Sequence, residues 1–329
     1  MTAFVRFSIA SLAACLLGMP VAALAQQYPA KPIRLVIPYP PGGVDVTIRQ
    51  ILPGVDEELG QPMVIDYRPG ASGLIGTDYV ARAETDGYTL LATASNPWVV
   101  TPAMRKRTPY HPTRSFTPIS TVTQGGLNLI VANMQFPPNN VRELFDYAKK
   151  YPDKVAWATS GIGSSWHLDA EYMNVLARTK ILHAPFTGFG PMFPAVMSGQ
   201  VQMVLMPYQF VQKLLDAGKL KMVGVMSTAP RAAPLAPKGV QSVKEVLPEY
   251  EAGPSWIGIG GPANLPRPIV LRVNQAINKA IANPKVQAFF EPQKVIISGS
   301  TPEEFGEMIR RDFELAQKIV KLANIPPVE

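Results

Sequence analysis

Cysteine and histidine are scarce in this 329-residue chain. The one cysteine, Cys15, sits inside an apolar leader, so the rest of the chain can form neither a disulfide nor a thiolate metal site. The three histidines, His111, His167 and His183, form no H-E-x-x-H pair, and no pattern sets a carboxylate and a nucleophile beside any of them. A G-x-S-x-G elbow, a P-loop and the dinucleotide fingerprint are missing as well. Beyond Leu24 no segment approaches the roughly 18 to 20 uninterrupted apolar residues of a membrane span. These absences leave no sign of a metal, a cofactor or a catalytic centre. The formal charge of +7 is spread along the chain rather than clustered, which suits mild attraction for anions and not a nucleic-acid footprint.

What is present begins with an export signal. Arg6 precedes an apolar run over 7–24 that closes on Ala23-Leu24-Ala25, which reads as a signal peptide over 1–25, cut before Gln26. A lipoprotein signal ending at Cys15 is the competing reading, but it would leave ten mostly apolar residues exposed on the mature chain. The expected product is a soluble periplasmic protein. About 300 mature residues exceed what one core usually serves, so two lobes are expected.

Strand-like runs at 33–38, 63–66, 89–94, 127–132, 155–159, 201–206 and 221–227 alternate with helix-like runs at 44–59, 76–83, 141–150, 167–178 and 210–217. That alternation predicts α/β lobes, each built on a doubly wound, mostly parallel sheet. Ligands bind such sheets beyond the carboxyl ends of the strands. The tail, helix-like at 268–282, 284–291 and 302–322, is expected to pack on the first lobe. Glycine or proline interrupts the pattern near 123–126 and 251–254, where the chain would cross between lobes. The expected division is 26–125 with 252–329 as lobe 1 and 126–251 as lobe 2.

Three strand-to-helix junctions carry the candidate chemistry. In "PYPPGGVD", 38–45, Pro40 and Pro41 stiffen the loop, Gly42 and Gly43 permit close approach, and Asp45 can cap the helix behind. The helix start offers an anion site, and a stiff capped turn explains the same residues equally well. In "YRPGASGLIG", 67–76, Ser72 and Gly73 open a second helix, with simple close packing as the alternative. In "WATSGIGSSWHLDAE", 157–171, Thr159, Ser160, Gly161, Gly163 and Ser164 supply hydroxyls and exposed amides, while His167 is either a ligand contact or a structural residue. Together the three loops predict one cleft lined with neutral donors. A Ser164–His167 nucleophile and base pair would make an exported hydrolase, a reading weakened by the missing elbow.

With those loops in place the chain resembles the periplasmic receptors of tripartite tricarboxylate transporters, the Bug receptor family. The matching elements are "YPAKPIRLVIPYPPGGVD" (28–45), "LGQPMVIDYRPGASGLIG" (59–76), "DGYTLL" (86–91), "YHPTRSFTPIS" (110–120), "GIGSSWHL" (161–168), "SGQVQMVL" (198–205), "AGKLKMVGV" (217–225) and "WIGIGGPANLP" (256–266). The resemblance implies a two-lobed, non-catalytic periplasmic binding protein with its ligand cleft between the lobes. It implies a small organic acid ligand, delivered to a membrane permease of the tripartite type. A sensory protein that presents its ligand to a membrane kinase is a separate alternative that the sequence does not distinguish. It also implies carboxylate capture by Pro41 to Asp45, by Ser72 and Gly73, and by Thr159 to Ser164.

The chain departs from the family pattern at Phe186-Thr187-Gly188-Phe189, at Met192 and Phe193, at Gln202, and at Asn96-Pro97-Trp98. Loss of a cation and gain of aromatics suggest a bulkier ligand, such as an aromatic mono- or dicarboxylate, although Phe189, Met192 and Phe193 also suit the core face of a helix. The expected contacts therefore add Tyr39, Asn96, Trp98, Phe186, Thr187, Phe189 and Tyr208 to the three loops. A monomer without cofactor, metal or nucleic acid completes the expectation.

Overall fold

The computed structural model describes residues 28–227 and 231–327, and the leader with its cleavage site lies outside them. The first sheet starts from two βαβ units: β1 (Ile33–Ile37), α1 (Val44–Leu59), β2 (Met63–Tyr67), α2 (Leu74–Ala81) and β3 (Thr89–Ala94). Ile33, Leu35, Val36 and Ile37 are fully buried, as a strand covered on both faces requires. Helix α1 turns Val44, Ile48, Ile51, Val55 and Leu59 inward at three- and four-residue spacing. A π-helical turn, Asn96–Val100, leads into the short α3 (Thr101–Met104).

Strand β4 (Phe116–Gly126) then leaves the first sheet, and after Leu127 alone the chain continues as β5 (Asn128–Asn133) in a second sheet. That sheet is completed by α4 (Val141–Lys150), β6 (Ala156–Thr159), α5 (Ser165–Ala177), β7 (Leu182–Pro185), α6 (Met192–Met197), β8 (Met203–Pro207), α7 (Tyr208–Asp216) and β9 (Leu220–Val225). After α8 (Val243–Val246) the chain returns as β10 (Ile257–Pro262), followed by α9 (Arg267–Ile281), α10 (Pro284–Phe290), β11 (Val295–Ile297) and α11 (Pro302–Leu322).

The strand orders are β11-β4-β10-β3-β1-β2 and β7-β6-β8-β5-β9. Both sheets are mixed. Parallel pairing joins β1 to β2 and β3, and β6 to β7 and β8, while β10 and β5 run antiparallel to both of their neighbours. The physical reason is the crossing. Strand β4 must run outward to deliver the chain to the second sheet, and β10 must run back from it. In consequence the carboxyl ends of β1, β3 and β4 and those of β6, β8 and β9 all end where the chain changes sheets.

The tail differs from its expected place on one lobe. Phe305 and Ile309, early in α11, pack with Trp98, Phe116 and Trp256 of the first sheet's core. Ala316 and Ile319, later in the same helix, pack with Leu168, Tyr172 and Met173 of α5 on the second. A long amphipathic helix has enough apolar surface for both, and the sequence pattern does not say where one partner gives way to the other. No helix among the described residues is long and apolar enough to cross a membrane.

Candidate functional site

The two sheets face each other across a cleft of about 710 Å³, lined from β1, β3, β6 and β8 and floored by the crossing segments. In the first wall, Tyr39, Pro41 and Gly43 of the β1 loop reach the cleft, with Val44 at the start of α1. Gly42 has φ +107°, the conformation for which glycine is needed. The loop's own anion is already present. Asp45 Oδ1 accepts hydrogen bonds from the Gly42 and Gly43 amides at 2.8 and 3.0 Å, and Oδ2 accepts from the Tyr67 hydroxyl at 2.9 Å. Burial opposes ionisation of Asp45, but those donors and Arg49 at 3.6 Å outweigh it and hold the carboxyl below the usual carboxylate range. The sequence reading gave the two glycine amides to a ligand, and here they brace the loop. What stays free is the very start of the helix: α1 has no side-chain cap, the Val46 amide donates to the Gly43 carbonyl at 3.2 Å, and the Val44 and Asp45 amides have no partner among the described residues.

The second wall repeats the pattern. Ser164 caps α5, its Oγ accepting from the His167 amide at 3.2 Å, and His167 Nδ1 accepts from the Gly163 amide at 3.2 Å. The His167 and His183 rings stack 4.0 Å apart, and His183 Nε2 lies 2.5 Å from Thr159 Oγ1. Burial, and then the neighbouring His167, push His183 down to about 4, so the pair is neutral around pH 7. Thr159, Gly163 and His167 thus support the loop from behind, while Ser160, Gly161, Ile162, Ser164, Ser165 and Trp166 face the cleft. Ser164 serves as a cap and His167 as an acceptor for backbone, so the two are not arranged as nucleophile and base.

The aromatic surface comes from Trp166, Phe186, Phe189, Tyr208 and Phe210, with Phe189 and Phe210 ring centroids 4.7 Å apart. Thr187 lines the cleft beside them. Ser72 and Asn96 enter from the first wall. The Asn96 and Gln209 side-chain oxygens are buried without a partner among the described residues, and both residues line the cleft. A buried amide left unpaired costs about 1–3 kcal/mol, so a ligand or water has a gain to make here.

Several expected contacts stand elsewhere. Gly42, Asp45, Gly73, Thr159, Gly163 and His167 do not line the cleft, and neither does Trp98. Trp98 is fully buried against Phe116, Trp256 and Phe305, with ring centroids 4.9, 5.9 and 5.4 Å away. A Cβ on Gly73 would lie 2.9 Å from Pro97, so that glycine serves packing between the second loop and the π-helical turn. Gly163 with Ile162 instead closes a small cavity against Ser72, Thr101, Met104 and Arg105, where the buried Arg105 Nε has no partner among the described residues.

The sequence reading also missed residues. Thr123, 125–128, Ser255 and Trp256 form the floor, and Asn128 Nδ2 donates to Ser255 Oγ at 3.3 Å to tie the two crossings together. Asp169 lines the cleft almost fully buried. Its Oδ1 accepts from the Tyr250 hydroxyl at 3.0 Å and the Gly253 amide at 2.7 Å, and burial pushes the carboxyl up to about 7. Lys294 is the cation in the lining. The topology would have flagged the crossings; no local pattern marks Asp169 or Lys294.

A family model described as the tripartite tricarboxylate transporter family receptor matches residues 47–324. The chain belongs to this receptor family. Among its relatives, a protein from Pseudomonas sp. strain P51, encoded in the tcbD-tcbE intergenic region, is 32% identical over 297 residues, covering 89% of this chain and 86% of the relative. The structure of R. palustris Rpa4515 with adipate superposes with a TM-score of 0.79 at 26% identity, covering 92% of this chain and 100% of that one. MatC from Rhodopseudomonas palustris with bound malate gives 0.76 at 25% identity over 89% and 100%. The receptor shares their two-lobed α/β architecture, and its family is one of receptors, not enzymes. A catalytic role for Ser164 and His167 is thereby set aside.

Proposed function

We propose that this receptor binds a small organic carboxylate in the cleft between its sheets and delivers it to a tripartite-type membrane permease. In this reading it works as a periplasmic monomer after loss of residues 1–25. Residues 26–125 with 252–329 form one jaw and 126–251 the other, and the ligand is held as they close. The observation that carries the reading is the convergence of two helix starts, α1 and α5, on one cleft, each with its nearest glycine amides already tied down and the amides of its first two residues, Val44 and Asp45 or Ser165 and Trp166, without a partner among the described residues. The Ser72, Ser160 and Ser165 hydroxyls add neutral donors, so the charge of a carboxylate would be shared over several hydrogen bonds. The adipate and malate of the two solved relatives support the same class of ligand.

The aromatic wall favours a ligand with an apolar body. Thermal shift of the mature protein against aliphatic and aromatic carboxylates, adipate and malate among them, tests the reading. A rise in Tm with some of these acids and none with matched amides is expected, and no rise with any acid would sink it.

A further inference from the structure

Asp169 is an acid inside a cleft read as an anion site. It stands one turn of α5, about 5.4 Å, beyond Ser165, and both residues line the cleft at the four-residue spacing that puts them on one helix face. Only 3% of it is exposed. Its Oδ1 accepts from the Tyr250 hydroxyl and the Gly253 amide, and among the described residues no cation pairs with it. An ionised carboxyl here would oppose any anion brought to the helix start. A protonated one would not, and it would add an O–H donor to the hydroxyls and amides around it.

The surroundings favour the protonated form. The return segment contributes Tyr250, whose phenol is held well above its ordinary value by burial and then by Asp169 itself, with the Tyr172 ring of α5 5.8 Å away. On α5, burial keeps His167 below its ordinary value, and Glu171 lines a separate groove with His183. Ala316 and Ile319 of α11 and Met104 of α3, packed in the same core as α5, are apolar. Across the cleft the charged group is Lys294. Burial outweighs the two hydrogen bonds and sets the carboxyl at about 7 in the empty cleft. A carboxylate beside it raises that value further, because two like charges in one site resist ionising together.

We propose that Asp169 meets the bound carboxylate as the neutral acid, so that the receptor takes up a proton from water as it takes up its solute. The inference rests on the carboxylate reading and adds a proton-coupled contact to it. Capture is then strongest below neutral pH, and above it affinity falls about tenfold for each pKa unit that the bound anion adds.

Calorimetric titration of wild type and Asp169→Asn with adipate, malate and benzoate, each ionised from pH 6.5 to 9, tests this. Wild type should bind at least one of them about tenfold more weakly at pH 9 than at pH 6.5. At pH 7.5 its binding heats in phosphate and in Tris should differ as uptake of roughly half a proton or more requires. Asp169→Asn should bind equally at the two pH values, tighter than wild type at pH 9, and without buffer dependence. The buffer comparison on wild type decides even where the variant fails to fold. An affinity that is level or rises with pH, binding without proton uptake, or an undiminished slope in Asp169→Asn would overturn the role of Asp169 and leave the carboxylate reading standing. A wild type that binds none of the three acids at either pH would overturn both.

Discussion

Replacing Asp45 tests whether an internal carboxylate organises the first loop. Its side chain is 6% exposed and accepts three hydrogen bonds, from two amides and a tyrosine hydroxyl. Alanine would leave those donors without their acceptor. All three end on a charged group in a half-buried loop, and at about 1.5 kcal/mol each, the low end for such bonds, the loss should come to roughly 4–5 kcal/mol. Asparagine keeps one oxygen in place for the two amides and gives up the charge and the Tyr67 bond, so its cost should be near 1–2 kcal/mol. The pH dependence has a definite sign. The folded carboxyl titrates below its ordinary 3.8, so its stabilisation is complete above that value and drains away as pH falls through the lower folded value. Urea unfolding of wild type, Asp45→Ala and Asp45→Asn at pH 7 and at pH 3 measures both effects. An alanine variant within about 1 kcal/mol of wild type, or an asparagine variant with the same acid sensitivity as wild type, would refute the reasoning.

The remaining predictions are shorter. Gly43→Val adds bulk where a Cβ meets no atom within 4 Å, so the melting temperature should hold while carboxylate affinity drops on the order of tenfold, about 1.4 kcal/mol; unchanged affinity in titration removes the loop from the site. Trp98→Ala should cost about 3–5 kcal/mol in urea unfolding, with ligand affinity retained by the folded protein, and a loss of binding without a loss of stability would return Trp98 to the cleft. Asp169 is protonated when folded up to about 7 but ionises near 3.8 when unfolded, so it makes stability fall as pH rises through that window. Asp169→Asn should flatten that slope, and a slope equal to wild type would show that the group titrates normally.

The loops were legible because their signals are local: proline, glycine and serine at strand-to-helix junctions announce themselves in the sequence. What the loops do with their donors was not. The Gly42, Gly43 and Gly163 amides look free in the sequence, yet Asp45, two residues beyond Gly43, and His167, four beyond Gly163, supply their acceptors. Trp98 looked like a ligand contact because it follows a strand end, but the π-helical turn aims its ring at Phe116, Trp256 and Phe305, the last more than 200 residues away. Lys294 is the reverse case, an unremarked lysine whose position depends on Tyr208 and Leu235 of the opposite wall. Pairings of that range leave no mark on local composition.

Helix α11 bears on how the cleft can work. Its 21 residues span about 31 Å, and its two halves belong to different cores, Phe305 and Ile309 to the first, Ala316 and Ile319 to the second. The changeover falls at Asp312, whose Oδ2 accepts from Trp256 Nε1 at 2.9 Å. Trp256 in turn lines the cleft floor where the chain re-enters the first sheet. A rotation that narrows the cleft must therefore turn about three connections at once: the strand joining β4 to β5, the return segment before β10, and α11. Two extended segments alone would permit twist as well as bend. A stiff helix buried in both cores would oppose twist, so a closure of the proposed kind would bend near Trp256, at the cleft floor.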